Sequence, residues 1–200
     1  MKKEEMIQIS PALITSENER RYREYYETIW ETIKETYCCL FYLEGIGQHF
    51  GENYKCTGKS YEFFIKDIIK LLKQKICLNI WKLIFDEGTD ALTIYRMKEY
   101  IYREFKHTVT EPYISVSPKV KTSITNTRKF FISHNLHTEN DCRVDMRDLN
   151  PLLNKIYEFF QKLWIKNFVT DRLFISDGYF DFQKTFYINA VQEAFMAIKP

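Results

Sequence analysis

SYEFFIKDIIKLLKQKICLNIWKLIF, from Ser60 to Phe85, is the stretch that decides the fold. Its apolar residues Phe64, Ile68, Leu71, Leu72, Ile76, Ile80 and Leu83 recur every three or four positions, the period of a helix burying one broad face. Lys66, Lys70 and Lys73 mark the opposite edge, the solvated side of an amphipathic helix. Ser60 suits the N-cap, and DEGTD at 86–90 stops the run.

The same period extends outward in both directions. Ser16 and Glu19 have capping-box spacing, and Tyr22, Tyr26, Ile29, Ile33, Tyr37 and Leu40 form one stripe behind them. Gly45, Gly47 and Gly51 are expected to end that helix, with GENYKCTGKS as a turn region. Downstream, TIYRMKEYIYREF reads as a third helix. Ser117-Pro118 opens a fourth, Pro being favoured at a first helical position. HTENDCRVDMRD is loop-like. Asn150-Pro151 repeats the cap-then-Pro device and opens a fifth helix through PLLNKIYEFFQKLWIKNF. Strand signals are confined to ISVS. The expectation is an all-α, single-domain bundle of about five core helices over residues 16–168. A flexible segment over 1–15 precedes it, and a C-terminal extension with a short helix over 169–200 follows.

Composition narrows the function classes. With 28% charged and 45% hydrophobic residues the chain is neither disordered nor membrane-embedded. A formal net charge of +2 means that any grip on nucleic acid comes from a local basic patch. The aromatic share of 16% reads as compositional bias and carries no stacking argument. Cys38 and Cys39 are adjacent, while Cys56, Cys77 and Cys142 are scattered without a CxxC pair, as in a reduced, cytosolic inventory. MKKEEMIQIS lacks the apolar core of a secretory signal, and no uncharged run nears the ~20 residues a bilayer requires. A cytoplasmic protein is expected.

The stretch TRKFFISHN at 127–135 sets Arg128 and His134 around Phe130, Phe131 and Ile132. On a helical wheel Val120, Ile124, Thr127 and Phe131 form the buried stripe. Arg128 falls roughly 80° to one side and His134 roughly 40° to the other, about 9 Å apart along the axis. Both stand at the border of packing surface and solvent, held yet reachable. Such edge residues commonly snorkel or cap a helix end.

Arg128-Lys-Phe-Phe-Ile-Ser-His134 resembles the R-x(4–6)-H signature of the HEPN family (higher eukaryotes and prokaryotes nucleotide-binding). The helical layout, with IWKLIFDEG closing the second helix and DMRDLN leading into the last core helix, is similar to the abortive-infection, AbiU-like subgroup. The resemblance spans roughly residues 17–168, in layout rather than in residue identity. It implies a bundle that homodimerises through the motif-bearing helix and cuts RNA without metal or other cofactor, by attack of a ribose 2′-hydroxyl on the adjacent phosphate. It implies His134 as general acid or base and Arg128 as the donor that stabilises phosphoryl charge. Lys119, Lys121 and Lys129 are the neighbouring candidates for RNA contact. Where active members usually carry Asn, Asp or His after the Arg, this chain has Lys129, which accepts no hydrogen bond. Some members carry a modifiable Tyr two residues after the His, served by a nucleotidyltransferase partner. Leu136 stands there, so that partner is not expected, and any antitoxin is unspecified. The alternative is a non-catalytic module of the same shape that binds RNA, nucleotide or a protein.

Other constellations are weaker. His134, His137, Cys142 and Asp145 can be drawn as a metal site, but they lack a second close ligand pair, and no metal is expected. TGKS at 57–60 ends like a phosphate-binding loop, yet Asn53 replaces the required glycine and no strand precedes it. No Ser-His-Asp arrangement can be ordered from the sequence.

Overall fold

The computed structural model describes residues 6–50, 61–133, 145–168 and 179–196. Among them are six α-helices: α1 (Ser16–Phe50), α2 (Tyr61–Ile84), α3 (Ile94–Phe105), α4 (Pro118–Ser133), α5 (Met146–Gln161) and α6 (Tyr179–Met196). The fold is an all-α bundle, and pairing of β type among the described residues is one parallel bridge, Ile7 with Ile165. No described helix is long and apolar enough to cross a membrane.

α1 is the spine. Its 35 residues reach roughly 50 Å, and α2, α3, α5 and α6 all pack on it. Its start lies one position earlier than the Ser16/Glu19 spacing suggests. Thr15 Oγ1 accepts the Asn18 amide N–H at 3.2 Å, while Asn18 Oδ1 accepts that of Thr15 at 2.9 Å. Asn18 also donates to the Leu13 carbonyl at 2.7 Å, so its buried amide is satisfied on both sides. Glu19 is left to pair with Arg23. Nor do Gly45 and Gly47 end α1, which continues to Phe50 (Gly51 lies outside the described residues). A Cβ at Gly45 would stand 3.0 Å from Val191 Cβ and 3.3 Å from Ile188 Cα, so this glycine admits the close approach of α6.

Directions follow from paired contacts. Tyr22 meets Phe105 and Tyr25 meets Tyr100, so α3 runs against α1. Tyr26 on Phe160, Trp30 on Tyr157 and Tyr37 on Asn154 make α5 antiparallel as well. Tyr37 on Phe180, Phe41 on Tyr187 and Gly45 on Val191 make α6 parallel to α1. α4 packs against α2.

Further expectations change. In the first half of α2, Ile65 and Ile69 are buried while Phe64 and Leu71 are 62% and 58% exposed. The apolar arc of that segment is wide, so its period implies a helix but not which part of the arc turns inward. Helix α5 opens at Asp145, whose side chain accepts the Arg147 amide N–H at 2.9 Å, not at Asn150-Pro151. Pro151 lies in the second turn, where its missing N–H costs one helical bond. α5 ends at Gln161 and not near Phe168, because tertiary partners take over the next backbone groups. The Tyr22 hydroxyl donates to the Leu163 carbonyl at 3.0 Å and accepts the Ile165 N–H at 2.9 Å. Ile7 donates to the Trp164 carbonyl and accepts from Lys166, both at 2.9 Å. Hence the described part of the lead segment is packed rather than loose, with Met6, Ile7 and Ile9 buried. Lastly, the terminal helix has 18 residues and lies along α1 as a full member of the bundle.

Of the cysteines, Cys39 and Cys77 are buried and Cys38 half-buried, and burial pushes the Cys39 thiol up to about 11. Cys56, Cys142, Ser60 and the TGKS turn lie outside the described residues.

Candidate nucleic-acid interface on helix α4

Helix α4 begins where the sequence places it. The Ser117 hydroxyl accepts the Val120 N–H at 3.4 Å, its carbonyl accepts that of Lys121 at 3.0 Å, and Pro118 occupies the first turn. Thr125 and Thr127 sit mid-helix because each hydroxyl donates to the carbonyl four residues back, at 2.8 Å in both cases. Thr127 is thereby buried without an unmet hydroxyl, beside Ile124, and Val120 packs at the edge of the core. This is the stripe that the wheel assigns; the side chains of Phe130, Phe131 and Ile132 lie outside the described set.

Arg128 is half-buried at the rim of that stripe, as the wheel places it. Its Cζ stands 3.6 Å from the centroid of the Trp81 ring on α2. Seven residues earlier, on the same side of α4, the Lys121 ammonium lies 5.4 Å from the Phe85 ring centroid. The two pairs fix α4 antiparallel to α2: Trp81 precedes Phe85 by one turn, while Arg128 follows Lys121 by two. A guanidinium resting on an aromatic face is held by dispersion and by the ring quadrupole, yet its N–H bonds lie in its own plane. Arg128 is therefore positioned without spending those donors on the ring, the requirement for a group that grips phosphate.

The remaining candidates are spread along the helix. Lys119 is exposed in the first turn, close enough to Asp145 to help hold its carboxyl down. The larger causes there are the side-chain and backbone hydrogen bonds from Arg147, and together they bring Asp145 to about 2. Lys129 is exposed beside Arg128. His134 follows directly on Ser133, the last residue of α4, and lies outside the described residues, as do His137 and Cys142. Arg128 and Lys121 thus share the α2 side of the helix about 10 Å apart, Lys129 adjoins Arg128, and Lys119 stands in the first turn near Asp145. Lys66, Lys70 and Lys73 are exposed along α2. Among the described residues, no group of three or more His, Cys, Asp or Glu side chains could hold a metal ion.

Trp81 and Phe85, which carry the two cations, are absent from the sequence reading. Their spacing of four was visible, but a stripe through Ile76, Ile80 and Leu83 explains the helix without them. Which flank faces α4 depends on a helix forty residues away.

No family model, curated protein or solved structure matches this chain.

Proposed function

We propose that this protein is a metal-independent endoribonuclease of the HEPN type, a toxin or antiphage effector acting in the cytoplasm as a homodimer. The observation that carries the reading is Arg128, its Cζ 3.6 Å from the Trp81 ring centroid at the rim of α4, six positions before His134. In the reaction a base removes the 2′-hydroxyl proton and the oxygen attacks the neighbouring phosphorus. The 5′-oxygen leaves with a proton from an acid, giving a 2′,3′-cyclic phosphate and a 5′-hydroxyl end. His134 serves the proton transfers, since imidazole titrates near about 6.5. Arg128 stabilises the charge that gathers on the phosphoryl oxygens. A two-fold axis beside α4 would supply two copies of each group to one cleft.

The second reading, a non-catalytic module that binds RNA, nucleotide or a protein, is favoured by Lys129 in the position after the Arg and by the structural work that Arg128 already does on Trp81. One experiment separates the two. Purified chain is incubated with RNA in chelator, products are tested for cyclic-phosphate ends, and Arg128→Ala, Arg128→Lys and His134→Ala are compared. Cleavage lost by ~100-fold or more in His134→Ala and in Arg128→Ala, with little of it kept in Arg128→Lys, is the result expected of an enzyme. Intact RNA bound in a salt-sensitive manner by wild type and His134→Ala alike would sink catalysis and leave the binding module.

A further inference from the structure

Away from α4, a cleft of about 520 Å³ opens among α1, α5 and α6, with Lys73 of α2 on its margin. That size lies within the ~300–1,000 Å³ usual for small organic ligands. Its apolar part joins three aromatic rings to Leu40, Leu43 and Met146, and the ring centroid of Phe180 lies 4.0 Å from that of Tyr37, which in turn lies 5.9 Å from Phe41. Asn150 and Asn154 stand one turn apart on α5 and both line the cleft. The carbonyl oxygen of Asn154 accepts the Tyr37 hydroxyl at 2.7 Å, so its amide N–H groups remain as donors.

The charges are arranged in an informative way. Glu44 and Lys184 neutralise each other at 2.7 Å. Lys73 and Asp181 also line the cleft, both exposed, on different helices, and neither forms an ion pair among the described residues. The lining is therefore neutral in sum but offers one cation and one anion at separate points beside an aromatic floor. Asp181 opposes a simple anion, and Lys73 opposes a simple cation.

We propose that this cleft binds a small aromatic zwitterion, a free aromatic α-amino acid. Its carboxylate meets Lys73 and the Asn154 amide, its ammonium meets Asp181, and its ring lies against Tyr37 and Phe180. Charge-assisted hydrogen bonds at both ends distinguish this ligand from the amino-terminal residue of a peptide, which lacks the adjacent carboxylate. The site is independent of the RNA reading, because it uses no residue of α4.

Calorimetric titration of the full chain tests this with four probes: L-phenylalanine, phenylalaninamide, N-acetyl-L-phenylalanine and L-alanine. Saturable binding of L-phenylalanine is expected, about tenfold weaker for each blocked derivative and absent for L-alanine. Lys73→Gln should erase the preference over phenylalaninamide, and Asp181→Asn the preference over the N-acetyl form. Both side chains are exposed, so unchanged melting temperatures will verify folding. No saturation by L-phenylalanine up to about 10 mM, equal binding of the three phenylalanine forms, or discrimination unaltered in both variants would each overturn the proposal.

Discussion

Tyr22 and Tyr26 lie one turn apart on α1, both buried, and the same substitution should have opposite consequences at the two. The Tyr22 hydroxyl joins two backbone groups more than a hundred residues away, the Leu163 carbonyl at 3.0 Å and the Ile165 N–H at 2.9 Å. Tyr22→Phe keeps the ring contacts with Tyr26, Phe105 and Phe168 but strands a buried acceptor and a buried donor. At about 1–2 kcal/mol each, the loss is about 2–4 kcal/mol. At ~2–4 °C per kcal/mol for a chain of this size, the melting temperature falls by roughly 5–15 °C. The Tyr26 hydroxyl is buried with no hydrogen-bond partner among the described residues. Tyr26→Phe removes an unmet polar group, so stability should hold or rise by up to about 1 kcal/mol. Burial raises both phenols well above their ordinary value. The folded state then retains protons that the unfolded chain loses, so stability is full below about pH 10 and declines above it. Tyr22→Phe should flatten that alkaline limb. Urea denaturation curves with matched slopes measure all of this. If Tyr26→Phe costs as much as Tyr22→Phe, the hydrogen-bond assignment is wrong at both positions.

Two glycines about six turns further along α1 make a second contrast. Gly47→Ala meets nothing within 4 Å and should stabilise α1 by about 0.5–1 kcal/mol, whereas Gly45→Ala drives a methyl to 3.0 Å from Val191 and should destabilise by about 1 kcal/mol. Val191→Ala in the Gly45→Ala background should recover part of that loss, read from the same urea curves. At the start of α5, the Asp145 carboxyl is held at about 2 by Arg147, below its ordinary value near about 3.9. Its contribution is present above about pH 4 and disappears as pH falls toward 2, so Asp145→Asn should keep the cap but flatten the acid limb of the stability curve.

Local rules succeeded where one short segment contains its own answer. The Ser117-Pro118 start of α4 and the stripe of Ile124 and Thr127 follow from a cap, a fixed φ and a period, all within a few residues. The rim position of Arg128 followed likewise, since a wheel needs only the helix. They failed where a rival local signal or a distant surface decided. Asn150-Pro151 looks like a helix start, but Asp145, five residues upstream, already caps the helix and Pro151 stands exposed within it. Gly45 looks like a stop until Val191 and Ile188 are found beside it.

Taken alone, then, the sequence determined that this chain is helical and which ridge of each strongly amphipathic helix turns inward, because periodic burial is written into spacing. Tertiary structure decided the rest: that α5 yields at Gln161 to bonds with Tyr22 and Ile7, that Phe64 and Leu71 face outward, and that Arg128 rests on Trp81. Those outcomes depend on which surfaces meet, and residues far apart in the chain acquire a common environment only when the helices pack.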